Sequence, residues 1–416
     1  MFHMYDIYYV RYIYGAVTAR DMGSQAGKDE RVWFPADHVT QAFINLDHLT
    51  HNVHLLQELI GHSRLWPAIK ANAYGHDAIL VGRHLVNLGF TTLCVAHVSE
   101  AARLVEAGVR ATFIVMSATL PAYSDWLVAY DCEPVVCTLD MVAQLSQAAM
   151  RAGKRVGVHV KVDTGMGRIG MWPQAVTAFL DYCKTLPGIS IKGLMSHLPR
   201  TQVSDCDYAA NQIATFRQLQ ERTRRYGIPV YHLANSAAVF DLPEAAFDAV
   251  RPGIAVYGLA PSATVKNCRV HQLKPVLEWK TRITFLKEVP AGIGLSYEHT
   301  FRTVRPSLIA TIPLGYGDGI SQQLSNRIEM LVGGIRCAQV GRICMDQCLL
   351  DVTALAGRVA IGDEVVIIGR QGEAEITVAE LAAQCDTIHY EVVSQIASRV
   401  PRLAVSNTAS ASCHTF

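Results

Sequence analysis

The stretch "RLWPAIKANAYGHDAILVGRHLVNLG", residues 64–89, joins a short apolar run to a longer segment of helical periodicity. The run at residues 64–70 predicts a β-strand, because it is short, apolar and bounded by polar residues. In residues 77–89 the apolar side chains recur at helical spacing and the segment closes on Gly89, which predicts an α-helix. A strand followed directly by a helix is the repeating unit of α/β folds.

The same alternation continues to about residue 270 of the chain. The strand candidates begin at Arg64, Thr91, Ala111, Cys132, Val156, Ser190, Pro229 and Asp248. Eight strands alternating with helices are typical of a (β/α)8 TIM barrel, which we expect over residues 41–273. A doubly wound open sheet is the alternative, although that fold has no reason to stop at eight strands.

From about residue 274 the pattern changes. Stretches such as "SLIATIPLGYGDG" and "GDEVVIIG" are short alternating runs broken by glycine-rich turns, and they predict a mostly β C-terminal domain over residues 274–403. Only "TVAELAAQCD", residues 377–386, reads as a helix there. An N-terminal extension (residues 1–40) and a small polar tail (residues 404–416) flank the two domains, and we expect the tail and part of the extension to be disordered.

The composition excludes several classes of protein. The 37 basic and 36 acidic residues nearly cancel, so no strong field attracts nucleic acid or a membrane surface. No run reaches the ~18 apolar residues of a membrane helix, and Asp6 and Arg11 interrupt the aromatic N-terminus, which therefore does not read as a secretion signal. The eleven cysteines lack the paired spacing of a metal site or disulfide framework. We expect a cytoplasmic protein without a bound metal.

Ionisable residues follow the strands of the predicted barrel. In TIM barrels the chemistry lies at the C-terminal ends of the strands. Read in order, those ends carry Lys70, His97, Met116, Cys137, Lys161 with Asp163, His197, Asn235 with Ser236, and Arg251 with Gly253. Two independent readings, of the fold and of the polar residues, therefore indicate the same site.

Some of these positions suggest a phosphate-bearing cofactor. Lys70 ends an apolar strand, where partial desolvation lowers the pKa of a lysine and makes it a nucleophile. Asn235 and Ser236 begin a helix, and Gly253 lets the backbone approach a ligand closely, so these loops can hold a phosphate. Arg251 could face the ring nitrogen of a cofactor or form a structural ion pair. A lysine, a phosphate anchor and an arginine are together what a pyridoxal phosphate site requires.

Six motifs resemble, in order, the successive motifs of the alanine racemase family. They read "AIKANAYGH", "VKVDTGMGRIGM", "RPGIAVYG", "LSYEHTF", "IPLGYGDG" and "GRICMDQ", and the similarity runs from about residue 42 to residue 402. The resemblance implies a fold-type III enzyme that uses pyridoxal 5'-phosphate. It also implies an isomerase that interconverts L- and D-alanine and supplies D-alanine for peptidoglycan.

The resemblance implies roles for residues around the cofactor. Lys70 matches the lysine that holds the cofactor covalently, and Arg251 matches the arginine that bonds the pyridine nitrogen and leaves it unprotonated. The other matches to cofactor-binding positions are Tyr74, Arg168, His197, Asn235, Ser236, Gly253, Ile254 and Tyr390. Among these, the residues that match positions around the phosphate are Tyr74, Ser236, Gly253, Ile254 and Tyr390.

The resemblance also implies roles in proton transfer. Racemisation removes a proton from one face of Cα and delivers one to the other face, and Lys70 and Tyr297 match the two bases. His197 matches the residue that hydrogen-bonds the tyrosine, although a histidine there could instead bond a core carbonyl. Arg168 matches a residue near the substrate carboxylate, and Lys161 matches a lysine that is carbamylated in many relatives.

Residues of the second domain match the entrance and substrate pocket of the family. They are Tyr316, Met345 and Asp346. In the family this domain comes from the other subunit, so the resemblance implies a homodimer. Lys70 and Tyr297 of one site would then belong to different chains.

Two segments depart from the family pattern. After His197 this chain reads "LPRTQVSDCD", where the family has a phenylalanine, small residues and an aspartate, and "SQIASRVPR" lacks a tyrosine before its first arginine. Arg200 is either a solvated loop residue or a group that favours polar or acidic substrates. Serine or another amino acid is therefore an alternative substrate.

A fold-type III decarboxylase and a non-catalytic cofactor carrier are alternative functions. The motif around Tyr297 argues against the decarboxylase, and the long C-terminal region argues against the carrier.

Overall fold

The computed structural model describes residues 39–199 and 206–406 of the 416-residue chain. Residues 1–38 of the predicted extension, Arg200 and residues 407–416 of the predicted tail lie outside the described residues. Among the helices of the described part, none is long and apolar enough to cross a membrane.

The strand β1 (Gln41–Asn45) opens the described chain and leads directly into a helix of the barrel. It does not join the barrel sheet. Instead β1 pairs antiparallel with β10 (Leu277–Arg282) and parallel with β20 (Arg402–Val405). Residues 41–45 and 402–405 are therefore strands of the same sheet as β10 of the C-terminal region.

Eight parallel strands form the barrel. Helices cover their outer face and side chains fill the interior, which explains why the strands are apolar on both faces. They are β2 (Arg64–Leu65), β3 (Thr92–Val95), β4 (Thr112–Val115), β5 (Glu133–Val136), β6 (Val156–Lys161), β7 (Ile189–Met195), β8 (Val230–His232) and β9 (Ala249–Val250). Their order in the sheet is β2-β9-β8-β7-β6-β5-β4-β3.

The barrel closes between its first two strands. A bridge joins Ala68, just after β2, to Cys94 of β3, and the Ile69 N–H donates to the Cys94 carbonyl at 2.8 Å. Since the sheet has no free edge at this point, the predicted barrel is confirmed and the alternative of an open, doubly wound sheet is wrong.

Apart from α2, the helices surround the barrel and are amphipathic, with their apolar faces buried against the strands. In α4, for example, Val98, Ala101 and Leu104 are buried. The helices of this region are α1 (Leu46–Ile60), α2 (Lys70–Tyr74), α3 (Ala78–Asn87), α4 (Val98–Glu106), α5 (Ser124–Ala129), α6 (Leu139–Arg151), α7 (Val176–Lys184), α8 (Cys206–Thr223) and α9 (Ser236–Asp241).

The C-terminal region is mostly β, as predicted. Besides β10 and β20 it contains β11 (Phe285–Val289), β12 (Gly294–Leu295), β13 (Phe301–Arg302), β14 (Ser307–Ile312), β15 (Glu329–Val332), β16 (Ile335–Val340), β17 (Cys348–Asp351), β18 (Glu364–Gln371) and β19 (Ala374–Ile376). Its main sheet has the order β11-β14-β17-β16-β15-β18-β10-β1-β20, with β19 beside β18.

This region contains one helix more than the sequence predicted. The expected helix is α10 (Val378–Gln384), and the additional one is α11 (His389–Gln395). The segment "HYEVVSQ" has two adjacent β-branched valines, which favour a strand when taken alone. Burial of Val393 stabilises the helix instead, and α11 carries Tyr390 to the end of the barrel.

Candidate active site

A cavity of about 540 Å³ opens at the C-terminal ends of the barrel strands. The site residues predicted in the barrel, together with Tyr390, all line it: Lys70, Tyr74, Lys161, Arg168, His197, Asn235, Ser236, Arg251, Gly253, Ile254 and Tyr390. Of the other strand ends, Met116 lines the cavity, whereas His97, Cys137 and Asp163 do not. The fold thus brings together residues that are separated by more than half the chain.

The cavity is cationic. Its lining contains Lys70, Lys161, Arg168 and Arg251, and among the described residues no aspartate or glutamate lines it. Burial, followed by the charge of Arg251, lowers the pKa of Lys161 to about 7. Walls of one charge sign attract ions of the opposite sign. The cavity therefore suits a ligand that carries phosphate or carboxylate groups.

Lys70 begins α2, and the backbone that follows it is left-handed. Residues 71–74 have φ between 51° and 55°, and none of them is glycine. Each such residue costs roughly 1–2 kcal/mol relative to a right-handed one, and consecutive left-handed residues are rare. Backbone strain of this kind concentrates at functional sites. The sequence predicted only a strand end at Lys70 and missed this turn.

The Lys70 amine faces the cavity in a partly buried position. Burial, followed by the positive charge of Arg168, lowers its pKa. Both causes disfavour the ammonium form and leave more of the neutral amine, which is the nucleophilic form of lysine.

Tyr74, Ser236 and Gly253 meet at one wall of the cavity. A Cβ at Gly253 would lie 2.1 Å from the Tyr74 hydroxyl oxygen, so only glycine leaves room for the tyrosine. The Gly253 N–H donates to the Ser236 Oγ at 2.8 Å, and the serine can still donate its own proton to a ligand. The Tyr390 ring lies 6.2 Å from that of Tyr74. Burial raises the pKa of Tyr390 to about 12, which keeps its phenol an uncharged donor.

Asn235 has a structural role at this wall. Its Oδ1 accepts the Ala238 N–H at 3.1 Å and caps α9, and its amide donates to the Leu198 carbonyl at 3.0 Å. The sequence predicted that the start of this helix binds an anion. Because the Asn235 side chain already occupies the Ala238 N–H, that N–H is not free to bind an anion, whereas Ser236 lines the cavity with a hydroxyl that can donate.

Arg251 is buried and its guanidinium is held by neutral groups. One Nη donates to His232 Nδ1 at 2.7 Å, and the other donates to the carbonyls of Ser196 (2.8 Å) and Leu233 (3.2 Å). No described carboxylate pairs with it, so the alternative of a structural ion pair is wrong. Its Nε is buried and has no partner among the described residues.

A chain of buried side chains extends from Arg251 through the barrel. His232 Nε2 lies 2.9 Å from His159 Nδ1, and His159 Nε2 lies 3.0 Å from the Glu133 carboxylate. An arginine can only donate, so His232 accepts at Nδ1 and carries its proton on Nε2. His159 accepts the hydrogen bond from the His232 Nε2–H at its Nδ1, and its own Nε2–H donates to the Glu133 carboxylate. The network assigns both neutral tautomers.

The spacing of His159 and Lys161 in the sequence indicates part of this network. His159 lies two residues before Lys161 on β6, so both side chains point to the same face of the strand. In a barrel strand that face is the interior, where a histidine needs a polar partner. Nothing local in the sequence indicates that the partners are His232 and Glu133.

His197 also faces the cavity. Burial and the surrounding cations, chiefly Arg251, hold its pKa well below the usual range. The ring is therefore neutral at physiological pH. No described residue hydrogen-bonds it, so the described structure offers no core carbonyl as the alternative partner.

The predicted site residues of the C-terminal region lie elsewhere. Tyr297, Tyr316, Met345 and Asp346 do not line the cavity of their own chain. They form a second, exposed patch, in which Tyr297 has 71% of its surface exposed. The loops of this patch are joined through backbone contacts, such as Tyr316 N–H to the Cys344 carbonyl at 3.0 Å.

The backbone around Tyr297 is strained like that after Lys70. Ser296, Glu298 and His299 all have positive φ, between 49° and 59°. The Ser296 hydroxyl donates to the Arg342 carbonyl at 2.6 Å and helps to hold this conformation. A costly loop that presents an exposed tyrosine indicates a functional position.

Comparisons with known proteins agree with this geometry. The family model described as alanine racemase, N-terminal domain, matches residues 44–261, and the one described as alanine racemase, C-terminal domain, matches residues 276–404. Alanine racemase of Halothermothrix orenii is 42% identical, with 87% of this chain and 96% of the relative covered. That of Clostridium novyi is 39% identical, with 88% and 95% covered.

Solved structures give the same result for the fold. The crystal structure of alanine racemase from Bacillus anthracis with bound L-Ala-P has a TM-score of 0.84 at 32% identity, and covers 90% of this chain and 97% of its own. Alanine racemase of Clostridium difficile 630 has a TM-score of 0.84 at 31% identity, with 89% and 96% covered. Because the matches span both regions, this chain belongs to the alanine racemase family.

Proposed function

We propose that this chain is a pyridoxal 5'-phosphate-dependent racemase that interconverts L- and D-alanine and supplies D-alanine for peptidoglycan. The observation that carries the proposal is the cationic cavity, in which Lys70 shares one chamber with Arg251 and with the wall formed by Tyr74, Ser236 and Gly253. Family membership supports the same reaction, since the relatives compared above are named alanine racemase.

The residues present fit this cofactor. The Nε of buried Arg251 has no partner among the described residues and can donate to a ligand. Gly253 lets the Tyr74 hydroxyl lie close to the backbone beside Ser236, so both hydroxyl groups can donate to one anion. Tyr74, Ser236 and Tyr390 would hold the phosphate as uncharged donors, with the backbone at Gly253 and Ile254 beside them. When bound, the cofactor withdraws electrons from the Cα of an attached amino acid and so acidifies its proton.

Lys70 would have two roles. It would bind the cofactor covalently, and its neutral amine would move a proton at one face of the substrate's Cα. Its lowered pKa supports both roles, since each needs the neutral amine. Arg251 would bond the pyridine nitrogen without giving up a proton, since guanidinium groups remain charged.

Arg168 and Lys161 would act on the substrate side of the cavity. Arg168 is exposed and could hold the substrate carboxylate. Lys161 is buried, and a pKa of about 7 leaves a large fraction of its amine neutral and able to react with carbon dioxide. We propose that Lys161 is carbamylated, because this would turn a repelled cation into an anion that orients Arg168.

The second proton-transfer group would be Tyr297 of a second copy of the chain. Tyr297 is not among the described residues that line the cavity of its own chain, and its side chain is exposed. A homodimer that places this patch over the cavity would complete the site, with His197 hydrogen-bonded to the tyrosine. Tyr316, Met345 and Asp346 would then line the entrance and the substrate pocket.

The test is to supply the purified protein with pyridoxal 5'-phosphate and L-alanine and to follow D-alanine by chiral chromatography. We expect racemisation in both directions. Borohydride reduction, proteolysis and mass spectrometry should then locate the cofactor on Lys70. Lys70→Ala should lose the covalent adduct and the activity, whereas Lys184→Ala, an exposed lysine of α7, should keep both. An adduct at another lysine, or release of carbon dioxide instead of D-alanine, would contradict the proposal.

Substrate preference needs its own comparison. The segment that contains Arg200 differs from the family, and we propose alanine as the preferred substrate with serine next. Turnover of L-alanine, L-serine and L-glutamate by the same preparation decides between these possibilities. A preference for L-glutamate would assign Arg200 to the substrate rather than to solvent.

A further inference from the structure

The left-handed turn at residues 71–74 connects two groups of the cavity. Lys70 precedes the turn, and Tyr74, whose hydroxyl packs against Gly253, is its last residue. Within the turn, the Ala73 N–H donates to the Ile69 carbonyl at 2.9 Å and the Gly75 N–H donates to the Ala71 carbonyl at 3.0 Å. These local bonds do not offset the cost of four strained residues, so contacts from elsewhere must hold the turn.

Glu100 of α4 makes such a contact. Its Oε1 accepts the Ala71 N–H at 2.7 Å, the first amide after Lys70. Its Oε2 accepts the N–H groups of Ala96 (2.6 Å) and His97 (3.3 Å), which caps α4. A helix cap needs only the second oxygen. The first oxygen is committed to the turn, although Glu100 lies 29 residues further along the chain.

The chemistry of the contact requires a carboxylate. Both oxygens of Glu100 accept backbone N–H groups. A glutamine has one oxygen and one NH2 group, so its NH2 group would face a backbone N–H either at Ala71 or at the start of α4. Glu100 does not line the cavity. It can therefore act on the site only through the backbone of the turn and through its charge.

His76 holds the other end of the turn. It is completely buried, and its Nδ1 lies 2.8 Å from the Tyr74 carbonyl and 3.1 Å from the Ala73 carbonyl. Since carbonyls only accept, the proton of this imidazole must be on Nδ1. The turn is thus held by a donor at its end and an acceptor at its start.

We propose that Glu100 is a positioning residue, which holds the left-handed turn so that Lys70 and Tyr74 meet the cofactor together. This inference rests on the proposed function, because it concerns the binding of pyridoxal 5'-phosphate to Lys70. It assigns to Glu100 an effect on cofactor binding and on turnover that exceeds its effect on folding.

Two variants separate position from charge. Glu100→Gln keeps the shape of the side chain. Its single carbonyl oxygen can still cap α4, but its NH2 group then faces the Ala71 N–H and cannot accept it. Glu100→Asp keeps the charge but is too short to reach both sides. Glu106→Gln, at the other end of α4, removes one charge from the same helix without touching the turn and is the matched control.

The measurements are the Kd for pyridoxal 5'-phosphate, the visible absorbance of the protein-bound cofactor, kcat and KM for L-alanine, and the Tm of the cofactor-free protein. For both Glu100 variants we expect a Kd weaker by roughly ten-fold and a kcat lower by roughly ten- to a hundred-fold, with KM nearly unchanged. The Glu106 variant should match the wild type in all four.

Three outcomes would overturn the inference. The first is an unchanged Kd and kcat in both variants. The second is weaker cofactor binding and lower kcat in Glu100→Gln alone, which indicates an effect of charge. The third is a change in Kd and kcat that only parallels a lower Tm. Failure of the proposed function is distinguishable, since the wild-type protein itself would then bind no cofactor or form no D-alanine.

Discussion

At the scale of single residues, Lys161 shows how the cavity acts on its own side chains. Its side chain is buried, and its amine donates to the Val162 carbonyl at 3.3 Å. In the described part of the chain no carboxylate forms an ion pair with it. Burial and the charge of Arg251 therefore act together to disfavour its ammonium form.

The lowered pKa of Lys161 makes the free energy of unfolding depend on pH. The pKa of Lys161 in the folded protein is about 7, below its ordinary value of 10.5, so between these two pH values the unfolded chain binds more protons. The free energy of unfolding therefore rises with pH across this window, and the cost of the buried charge is fully present below it.

We accordingly expect Lys161→Met to raise the Tm of the cofactor-free protein by a few °C at about pH 6, and by less at about pH 10. Calorimetry in buffer free of carbon dioxide is the measurement, because a carbamate would change the charge. Lys192→Met, an exposed lysine on β7, is the control. Equal shifts at both pH values would show that the charge of Lys161 is not the cause.

Gly253 supports a second prediction at this scale. Alanine there would place its Cβ 2.1 Å from the Tyr74 hydroxyl oxygen and displace the ring. We expect Gly253→Ala to weaken pyridoxal 5'-phosphate binding by at least about ten-fold, as measured by titration of the visible absorbance.

Gly61→Ala is the control for Gly253→Ala, because Gly61 has a positive φ of 59° but open space around its Cβ position. That substitution should lower the Tm and leave the Kd for the cofactor unchanged. Similar Kd values for the two variants would mean that the contact between Gly253 and Tyr74 is not critical.

At the scale of elements, the turn α2 is stabilised from outside rather than by its own residues. Besides Glu100 and His76, helix α11 packs against it, because a Cβ at Gly75 would lie 1.9 Å from the Val393 carbonyl oxygen. α11 also contributes Tyr390 to the cavity. Two short helices that are weak alone therefore build one wall of the site together.

The left-handed backbone of α2 predicts an unusual effect of glycine. Ala71→Gly should raise the free energy of unfolding by up to about 1 kcal/mol, because glycine adopts positive φ without the steric cost. Ala214→Gly, at an exposed position within α8, should lower it by about 1 kcal/mol. Denaturant titration of both variants in the cofactor-free state is the measurement. A destabilised Ala71→Gly would show that the left-handed turn is not strained.

At the scale of the whole molecule, the proposed site is divided between two surfaces. The barrel supplies the cavity, and the C-terminal region supplies the exposed patch around Tyr297. Within the described part of one chain, Tyr297 does not line the barrel cavity. The proposed homodimer would join them, and this can be tested by mixing two inactive chains.

We expect co-expressed Lys70→Ala and Tyr297→Phe chains to recover activity. In a symmetric dimer with shared sites, half of the dimers are mixed and each has one intact site, so about a quarter of the wild-type activity should return. Chiral assay of the purified mixture is the measurement. A mixture of Lys70→Ala with Arg251→Lys, two changes in the same barrel, should recover nothing. Absence of recovery in the first mixture as well would exclude a site shared between chains.

The alternation of strands and helices, the barrel, the β-rich C-terminal region and many residues around the cavity could be predicted from the amino-acid sequence. These follow from periodicities and motifs that are local, so neighbouring residues carry them. Lys70 and Gly253 were predictable in this sense, because each ends a strand and the C-terminal ends of barrel strands meet.

Four features could not be predicted from the sequence: the left-handed turn after Lys70, the helix α11, the placement of β1 and the network from Arg251 to Glu133. Each of these depends on residues that are distant in sequence and that offset a local preference. Ala71 is held left-handed by Glu100, and His159 finds its acceptor in Glu133 and its donor in His232. The intrinsic preference of a short segment amounts to only about 1 kcal/mol per residue, so buried long-range contacts of similar or larger energy override it.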